Sequence, residues 1–164
     1  MGSTVRLRAA AARTGAIVNL KKGQFLSPAE MGQVVNKAAA AGGKRLLVTD
    51  RGTTFGYNNL VADMRAMPVM RGFGFPVVFD ATHSLQQPGG QGISSGGQSE
   101  MVPDLARGAV AVGCDAVFME IHPDPSKALS DGPNMLKLNL VSDLLEQLVT
   151  VDQVVKGKIA LKSS

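Results

Sequence analysis

The chain has 164 residues, of which 17 are basic and 13 acidic, and its formal net charge is +4. This length suits one domain, and 45% hydrophobic residues with 18% charged residues exclude a disordered chain. A single cysteine, Cys114, excludes an intramolecular disulfide framework. The apolar stretches reach about half of the roughly 20 residues that span a bilayer. The basic residues are scattered with few aromatic residues among them, so neither a membrane nor a nucleic-acid partner is expected.

Residues 1–15 are basic and rich in alanine. They lack the continuous apolar centre of a secretory signal. Their alanine spacing, followed by Gly15, predicts the last turns of a helix that ends at a glycine. A chain that begins inside a helix is expected to be a shortened form of a longer protein.

Four short apolar segments, each bounded by glycine, proline or charge, predict buried strands. They span residues 16–21, 45–50, 76–81 and 115–121. Helical patterns alternate with these strands, and they cover residues 27–41, 58–67, 100–112 and 138–155. The first helix has the clearest start, because Ser27 caps it, Pro28 takes its first position and Glu30 closes a capping box.

This alternation predicts an α/β fold with a parallel sheet and crossover helices. An open doubly wound sheet and a closed barrel both fit the order, and four strand–helix units are half of a TIM (β/α)8 barrel. The glycine-rich residues 84–99 lie between a strand and a helix, so we expect an active-site loop there rather than a linker.

Alternation along each strand assigns its side chains to two faces. The face toward the helices is expected to receive Val18, Leu20, Leu46, Val48, Val77, Phe79, Val117, Met119 and Ile121. The inner face is expected to receive Asn19, Lys21, Thr49, Arg51, Asp80, Glu120 and His122. Lys22 is expected to point outward, and His83 follows the end of its strand.

Each strand ends in polar side chains, and the carboxyl ends of parallel strands form the ligand site in such folds. Lys21 and Arg51 would make a clamp for a carboxylate or phosphate group, since arginine binds such groups through two hydrogen bonds. The alternative is that they form surface ion pairs, for example with Asp50.

His83, Glu120 and Asp131 offer nitrogen and oxygen donors that suit a divalent metal ion. Their spacing matches no compact metal motif, so an ordinary hydrogen-bonded histidine is the alternative. The glycines of the 84–99 loop could bind phosphate through backbone N–H groups, although they match no known phosphate motif. Cys114 is interpreted as a buried packing residue.

Six segments resemble the 3-deoxy-D-manno-octulosonate 8-phosphate synthase family over about residues 7–157. They are KKGQFLSP (21–28), TDRGTTFGYNNLVADMR (49–65), PVVFDATHSLQQPGG (76–90), SSGGQ (94–98), FMEIHPDP (118–125) and ALSDGPNML (128–136). The related 3-deoxy-D-arabino-heptulosonate 7-phosphate synthases share the chemistry, but the second and third segments fit the octulosonate family better.

The resemblance implies a TIM barrel of which this chain carries the last four β/α units. Residues 16–157 would then be units five to eight, residues 1–15 a helix remnant and residues 158–164 a C-terminal tail. The family condenses phosphoenolpyruvate with D-arabinose 5-phosphate and releases phosphate, in lipopolysaccharide biosynthesis. C3 of the enol attacks the sugar aldehyde, water adds at C2, and the tetrahedral intermediate expels phosphate by C–O cleavage.

The same resemblance assigns roles to seven residues. Lys21 and Arg51 would bind phosphoenolpyruvate, and Gln86 and Ser95 would line the path of the sugar phosphate. His83 and Asp131 would be catalytic. The three residues that would bind a metal, in metal-dependent members, are His83, Glu120 and Asp131.

In those members a cysteine on the first barrel strand joins the metal ligands, and metal-independent members have asparagine there. That strand has no counterpart in this chain, and Cys114 lies on the wrong segment to replace it. The cofactor is therefore either a divalent metal ion or none, with no organic cofactor. The resemblance further implies a cytoplasmic homo-oligomer, commonly a tetramer.

Two functional hypotheses follow. In the first, the chain is a fragment or shortened product of the synthase, and it has little or no synthase activity by itself. In the second, it is a non-catalytic half-barrel that binds anions weakly or associates with another chain. Two open sheet edges would favour such association.

Overall fold

A computed structural model describes residues 7, 10–89 and 96–157 of the chain. Its main sheet has four parallel strands, and each pairs with the next one along the chain. The strands are β1 (Val18–Lys21), β2 (Leu46–Asp50), β3 (Val77–Asp80) and β4 (Ala116–Phe118). All four lie within the predicted segments, and the parallel α/β architecture is consistent with part of a TIM barrel.

Four helices are described in full: α1 (Pro28–Ala40), α2 (Ala66–Arg71), α3 (Val102–Val112) and α4 (Val141–Lys156). The predicted start of α1 is confirmed, because Ser27 Oγ accepts the Glu30 N–H at 3.2 Å and the Glu30 carboxylate accepts the Ser27 N–H at 2.8 Å. The predicted helix end near Gly15 is also present, since residues 10–13 are helical and Gly15 has a φ of +76°.

The predicted helix over residues 58–67 is wrong. Asn58 has a φ of +51°, which a helix does not allow, and residues Leu60–Val61 pair antiparallel with Thr53–Thr54. Helix α2 begins only at Ala66. The apolar residues in this stretch belong to a short hairpin rather than to a helical face, since Asn58 takes a left-handed conformation in its turn.

The fourth strand is shorter than the predicted 115–121. After Phe118 the chain leaves the main sheet, and Ile121–His122 pairs instead with Leu136–Lys137 in a separate two-stranded sheet. The Glu120 N–H donates to Thr82 Oγ1 at 2.8 Å, which turns the backbone toward the end of β3. Ile121 is consequently 43% exposed, and its predicted position against the helices is wrong.

The hydrophobic core lies between the outer face of the sheet and the helices. Its strand residues include Leu20, Leu46, Val48, Val77 and Phe79, as alternation predicts. They form one cluster with residues of the helices, such as Met31, Val35, Met67, Met70, Ala106 and Leu144. The other face carries polar side chains toward the carboxyl ends of the strands, such as Lys21, Thr49 and Asp80, so this packing leaves them free of the helices.

Other short pairings lie close to the carboxyl ends of the strands. Gln86–Gln87 pairs antiparallel with Gly96–Gly97, which closes the base of the glycine-rich loop whose residues 90–95 lie outside the described part.

Among the described residues, no helix is both long enough and apolar enough to cross a membrane.

Candidate active site

Polar side chains from all four strand ends meet at one edge of the sheet. Lys21 ends β1, Arg51 follows β2, and Asp80 ends β3 with His83 directly after it. Glu120 follows β4, and Asp131 lies on the loop beyond it, where it has a φ of +54°. A non-glycine residue in this left-handed region costs free energy, and such residues cluster at functional sites.

Asp80 is the centre of this group. Its side chain is completely buried, and its oxygen Oδ2 lies 2.7 Å from Lys21 Nζ and 2.7 Å from His83 Nδ1. Oxygen Oδ1 accepts the backbone N–H groups of Thr82 at 3.2 Å and of His83 at 2.8 Å. Burial alone would raise the pKa of Asp80, but the hydrogen bonds from His83 and Lys21 outweigh it and hold this pKa below its ordinary value.

Lys21 points to the inner face, as alternation predicts. Its side chain is 35% exposed, and Nζ lies 4.3 Å from the centre of the Phe118 ring. Contact with the aromatic face and with Asp80 holds the ammonium group in place while one side of it remains accessible. Such a cation can bind an anionic ligand without first being ordered.

His83 faces two further carboxylates. Its Nε2 atom lies 3.3 Å from Glu120 Oε1, and one donor atom each from His83, Glu120 and Asp131 lie within 4.8 Å of one another. One imidazole nitrogen and two carboxylate oxygens are a donor set that divalent metal ions accept. The second ring nitrogen is held by Asp80, which is how proteins orient metal-binding histidines. The three predicted residues are therefore together and fit a metal ion.

Arg51 takes part in a second chain of hydrogen bonds. It donates to Gln86 Oε1 at 2.5 Å, and Gln86 Nε2 donates to Asp131 Oδ1 at 2.5 Å. The amide of Gln86 thus connects the guanidinium to the possible metal ligand. The alternative of ion pairs is present in part: Lys21 pairs with Asp80, but among the described residues Arg51 forms no ion pair with Asp50.

The partner of Asp50 is Lys22, a pair that sequence reasoning missed. Lys22 is 1% exposed, and its Nζ atom lies 3.4 Å from Asp50 Oδ1, which is within ion-pair distance although Oδ1 accepts no hydrogen bond among the described residues. Nζ also donates to the carbonyl oxygens of Gly52 at 2.8 Å and Leu26 at 3.1 Å, and to Thr53 Oγ1 at 3.1 Å. Lys22 is expected to point outward, but its ammonium group is enclosed by these partners and is not exposed to solvent.

Of three further residues named in the sequence analysis, one is not described, and Cys114 and His122 lie outside the group of possible metal ligands, Cys114 as the buried packing residue that is expected. Ser95 lies outside the described residues. Cys114 precedes β4, at the opposite end of the strand from the site, and burial raises the pKa of its thiol to about 11. His122 Nδ1 accepts the N–H of Asp124 at 3.0 Å, and His122 does not belong to the group of possible metal ligands.

Parallel strands that carry cationic, imidazole and carboxylate groups at their carboxyl ends define an α/β protein with a candidate site at this edge of the sheet. The sequence model of the DAHP synthetase I family matches residues 2–157, and the chain belongs to this family.

Curated relatives carry the name 2-dehydro-3-deoxyphosphooctonate aldolase. The protein of Geobacter metallireducens is 60% identical over 89% of this chain and 54% of its own length. The protein of Alkalilimnicola ehrlichii is 62% identical over 90% of this chain and 53% of its own length. The chain thus spans about half the length of the curated relatives it matches, and it resembles the octulosonate group as the sequence segments predict.

Proposed function

We propose that this chain carries the phosphoenolpyruvate site of an enzyme that condenses phosphoenolpyruvate with D-arabinose 5-phosphate to 3-deoxy-D-manno-octulosonate 8-phosphate and phosphate. The observation that carries the proposal is the convergence of Lys21, Arg51, His83, Glu120 and Asp131 at one edge of the sheet. The names of the relatives support the same reaction.

Lys21 and Arg51 bind the anionic groups of phosphoenolpyruvate in this proposal. Arg51 offers a planar fork of donors to a phosphate or carboxylate, and its Nε atom is buried with no hydrogen-bond partner among the described residues. Lys21 is held by Asp80 and Phe118, so little side-chain entropy is lost when a ligand binds. Together they offset the charge of the enol phosphate and hold its C3 atom toward the sugar aldehyde.

His83, Glu120 and Asp131 would hold a divalent metal ion if this chain belongs to a metal-dependent enzyme. When bound, such an ion supplies Lewis-acid stabilisation of negative charge on oxygen. Gln86 acts in either case, because its amide keeps Arg51 and Asp131 at fixed positions. In a metal-independent enzyme, His83 would orient the water that adds at C2.

Calorimetric titration of the purified chain with phosphoenolpyruvate tests the binding part of the proposal. We expect saturable binding by the wild-type chain, and a loss of about 10- to 100-fold for Arg51→Met, since hydrogen bonds to charged groups contribute about 1.5–3 kcal/mol. The matched control is Arg65→Met, because Arg65 pairs only with the neighbouring Asp63 on the surface. No saturable binding by the wild-type chain would overturn the proposal.

A phosphate-release assay with both substrates tests the reaction. We expect little or no turnover by the 164-residue chain alone, because the sheet ends at the open strands β1 and β4 and the site is accessible to water. Any turnover should be faster with D-arabinose 5-phosphate than with erythrose 4-phosphate. The reverse preference would favour the heptulosonate reaction instead.

Titration with Co²⁺ tests the metal site, since the visible spectrum of this ion reports nitrogen and oxygen ligands. We expect His83→Gln to abolish binding and His122→Gln, which alters the other histidine, to leave it unchanged. Equal binding by the two variants would exclude the proposed ligands. The proposal also includes a homo-oligomer located in the cytoplasm. Light scattering of the purified chain tests its oligomeric state.

A further inference from the structure

The chain has two histidines, and their ring nitrogens have opposite partners. His83 Nδ1 lies 2.7 Å from Oδ2 of the Asp80 carboxylate. His122 Nδ1 lies 3.0 Å from the backbone nitrogen of Asp124, which can only donate. A neutral imidazole carries one proton, and the partners of its nitrogens decide which nitrogen holds it.

Among the described residues, three groups besides His83 donate to the Asp80 carboxylate. Oxygen Oδ1 accepts two backbone N–H groups, and Oδ2 accepts the Lys21 ammonium. Because the groups that surround the carboxylate donate to it, Asp80 is the acceptor toward His83 as well, and this contact requires a proton on Nδ1 of the ring. The neutral ring of His83 then has its lone pair on Nε2.

Nε2 of His83 faces Glu120 Oε1 at 3.3 Å. A lone pair and a carboxylate oxygen at this distance repel each other unless a cation or a hydrogen-bond donor lies between them. The arrangement around Asp80 therefore presents an acceptor atom to the opening between Glu120 and Asp131.

We propose that Asp80 is a positioning residue that fixes His83 as the Nδ1–H tautomer and so directs the Nε2 lone pair toward Glu120 and Asp131. This inference deepens the proposed function and rests on it for the role of Nε2, but the tautomer exists whether or not the chain binds substrate or metal. His122 is the opposite tautomer, with its proton on Nε2.

The substitution Asp80→Asn has a definite expected outcome. The two backbone N–H groups at Oδ1 require an oxygen, so the amide NH₂ group takes the place of Oδ2. That group donates to His83 Nδ1 and moves the ring proton to Nε2, while the Lys21 ammonium loses its acceptor and turns away from the amide. The substitution is isosteric, so the tautomer changes without a change in side-chain volume.

The test is long-range ¹H–¹⁵N correlation NMR of the full chain labelled with ¹⁵N-histidine, with the pH raised until the ring shifts stop changing. The His122→Gln variant assigns the two rings. We expect His83 to keep its proton on Nδ1 and His122 on Nε2 in the wild-type chain. In Asp80→Asn we expect His83 to change to the Nε2–H form and His122 to stay as it was.

Lys21→Met is the matched control, because it removes the other partner of Asp80 Oδ2 and leaves the carboxylate in place. His83 should remain the Nδ1–H tautomer in it. An unprotonated Nδ1 on His83 in the wild-type chain, or a His83 ring with its proton on Nδ1 in folded Asp80→Asn, would overturn the inference. If Asp80→Asn does not fold, the wild-type spectrum alone decides. Failure of the phosphoenolpyruvate or Co²⁺ titration would leave this spectrum unchanged, so the two failures are distinguishable.

Discussion

The two lysines at the end of β1 are neighbours in sequence but belong to different parts of the molecule. Lys21 lies in the site on the inner face, with a side chain that is 35% exposed. Lys22 lies on the other side of the strand, where its ammonium group is enclosed by Asp50 and the turn that follows β2. The same residue type thus lies in the candidate site at one position and in an enclosed ion pair at the next, because strand alternation separates the two environments.

Their aspartate partners differ in the same way. Burial raises the pKa of Asp50 above its ordinary value, and the Gly52 N–H and Lys22 offset this only in part. For Asp80, hydrogen bonds from His83 and Lys21 outweigh the effect of burial and lower the pKa. Protein donors thus stabilise the buried charge of Asp80, whereas Asp50 Oδ1 accepts no hydrogen bond from the residues that the structure describes.

The largest effect is expected for Lys22→Met. This change leaves Asp50 as a buried charge without its cationic partner and removes the donor to the Gly52 and Leu26 carbonyl groups. Breaking a buried ion pair costs about 3–5 kcal/mol, and urea unfolding measures it. Lys21→Met is the control, with a smaller loss because Asp80 keeps three other hydrogen bonds. Equal losses in the two variants would contradict the comparison.

A smaller loss of stability is expected for Gly52→Ala. Gly52 has a φ of +77°, a conformation that costs a side-chain-bearing residue about 1–2 kcal/mol. Gly52 lies in the turn that encloses Lys22, and an added Cβ there would also lie 3.3 Å from the Val61 carbonyl oxygen.

The matched variant is Gly56→Ala, where φ is +68° and an added Cβ meets nothing within 4 Å. Urea unfolding should give a larger loss of free energy for Gly52→Ala than for Gly56→Ala. If the two losses are the same, the packing around Lys22 is looser than the structure indicates.

The smallest effect is expected for Asp50→Asn, in the pH dependence of the free energy of unfolding. Since the pKa of Asp50 is raised on folding, this carboxyl group stabilises the fold most below its unfolded value of about 3.9. The contribution is lost as the pH rises through the folded pKa. The free energy of unfolding of the wild-type chain, minus that of the variant, should therefore decrease from acid to neutral pH. An increase over that range would reverse the sign and contradict the raised pKa.

Local signals in the sequence predicted much of the fold. The capping box at Ser27 and the apolar strands required only neighbouring residues, and both are present. The helix predicted over 58–67 failed because its apolar spacing is also compatible with a hairpin, and the left-handed Asn58 decides for the hairpin.

The site was predictable as a set of residues but not as a set of pairs. Alternation placed Lys21 and Asp80 on the inner face, and the segments placed His83 and Asp131 near them. Which lysine pairs with which aspartate depends on contacts across the sheet, so Lys22–Asp50 was missed. The connection of Arg51 to Asp131 through Gln86 likewise requires three distant segments to meet.

The central claim is that Lys21 serves the ligand while Lys22 serves the fold. Its most direct test is a phosphoenolpyruvate titration of wild-type chain and Lys21→Met under conditions in which urea unfolding shows both to be folded. We predict saturable binding by the wild-type chain and binding about 10- to 100-fold weaker by the variant, since one charge-assisted contact is lost. Equal affinities, or no binding by the wild-type chain, would contradict the claim.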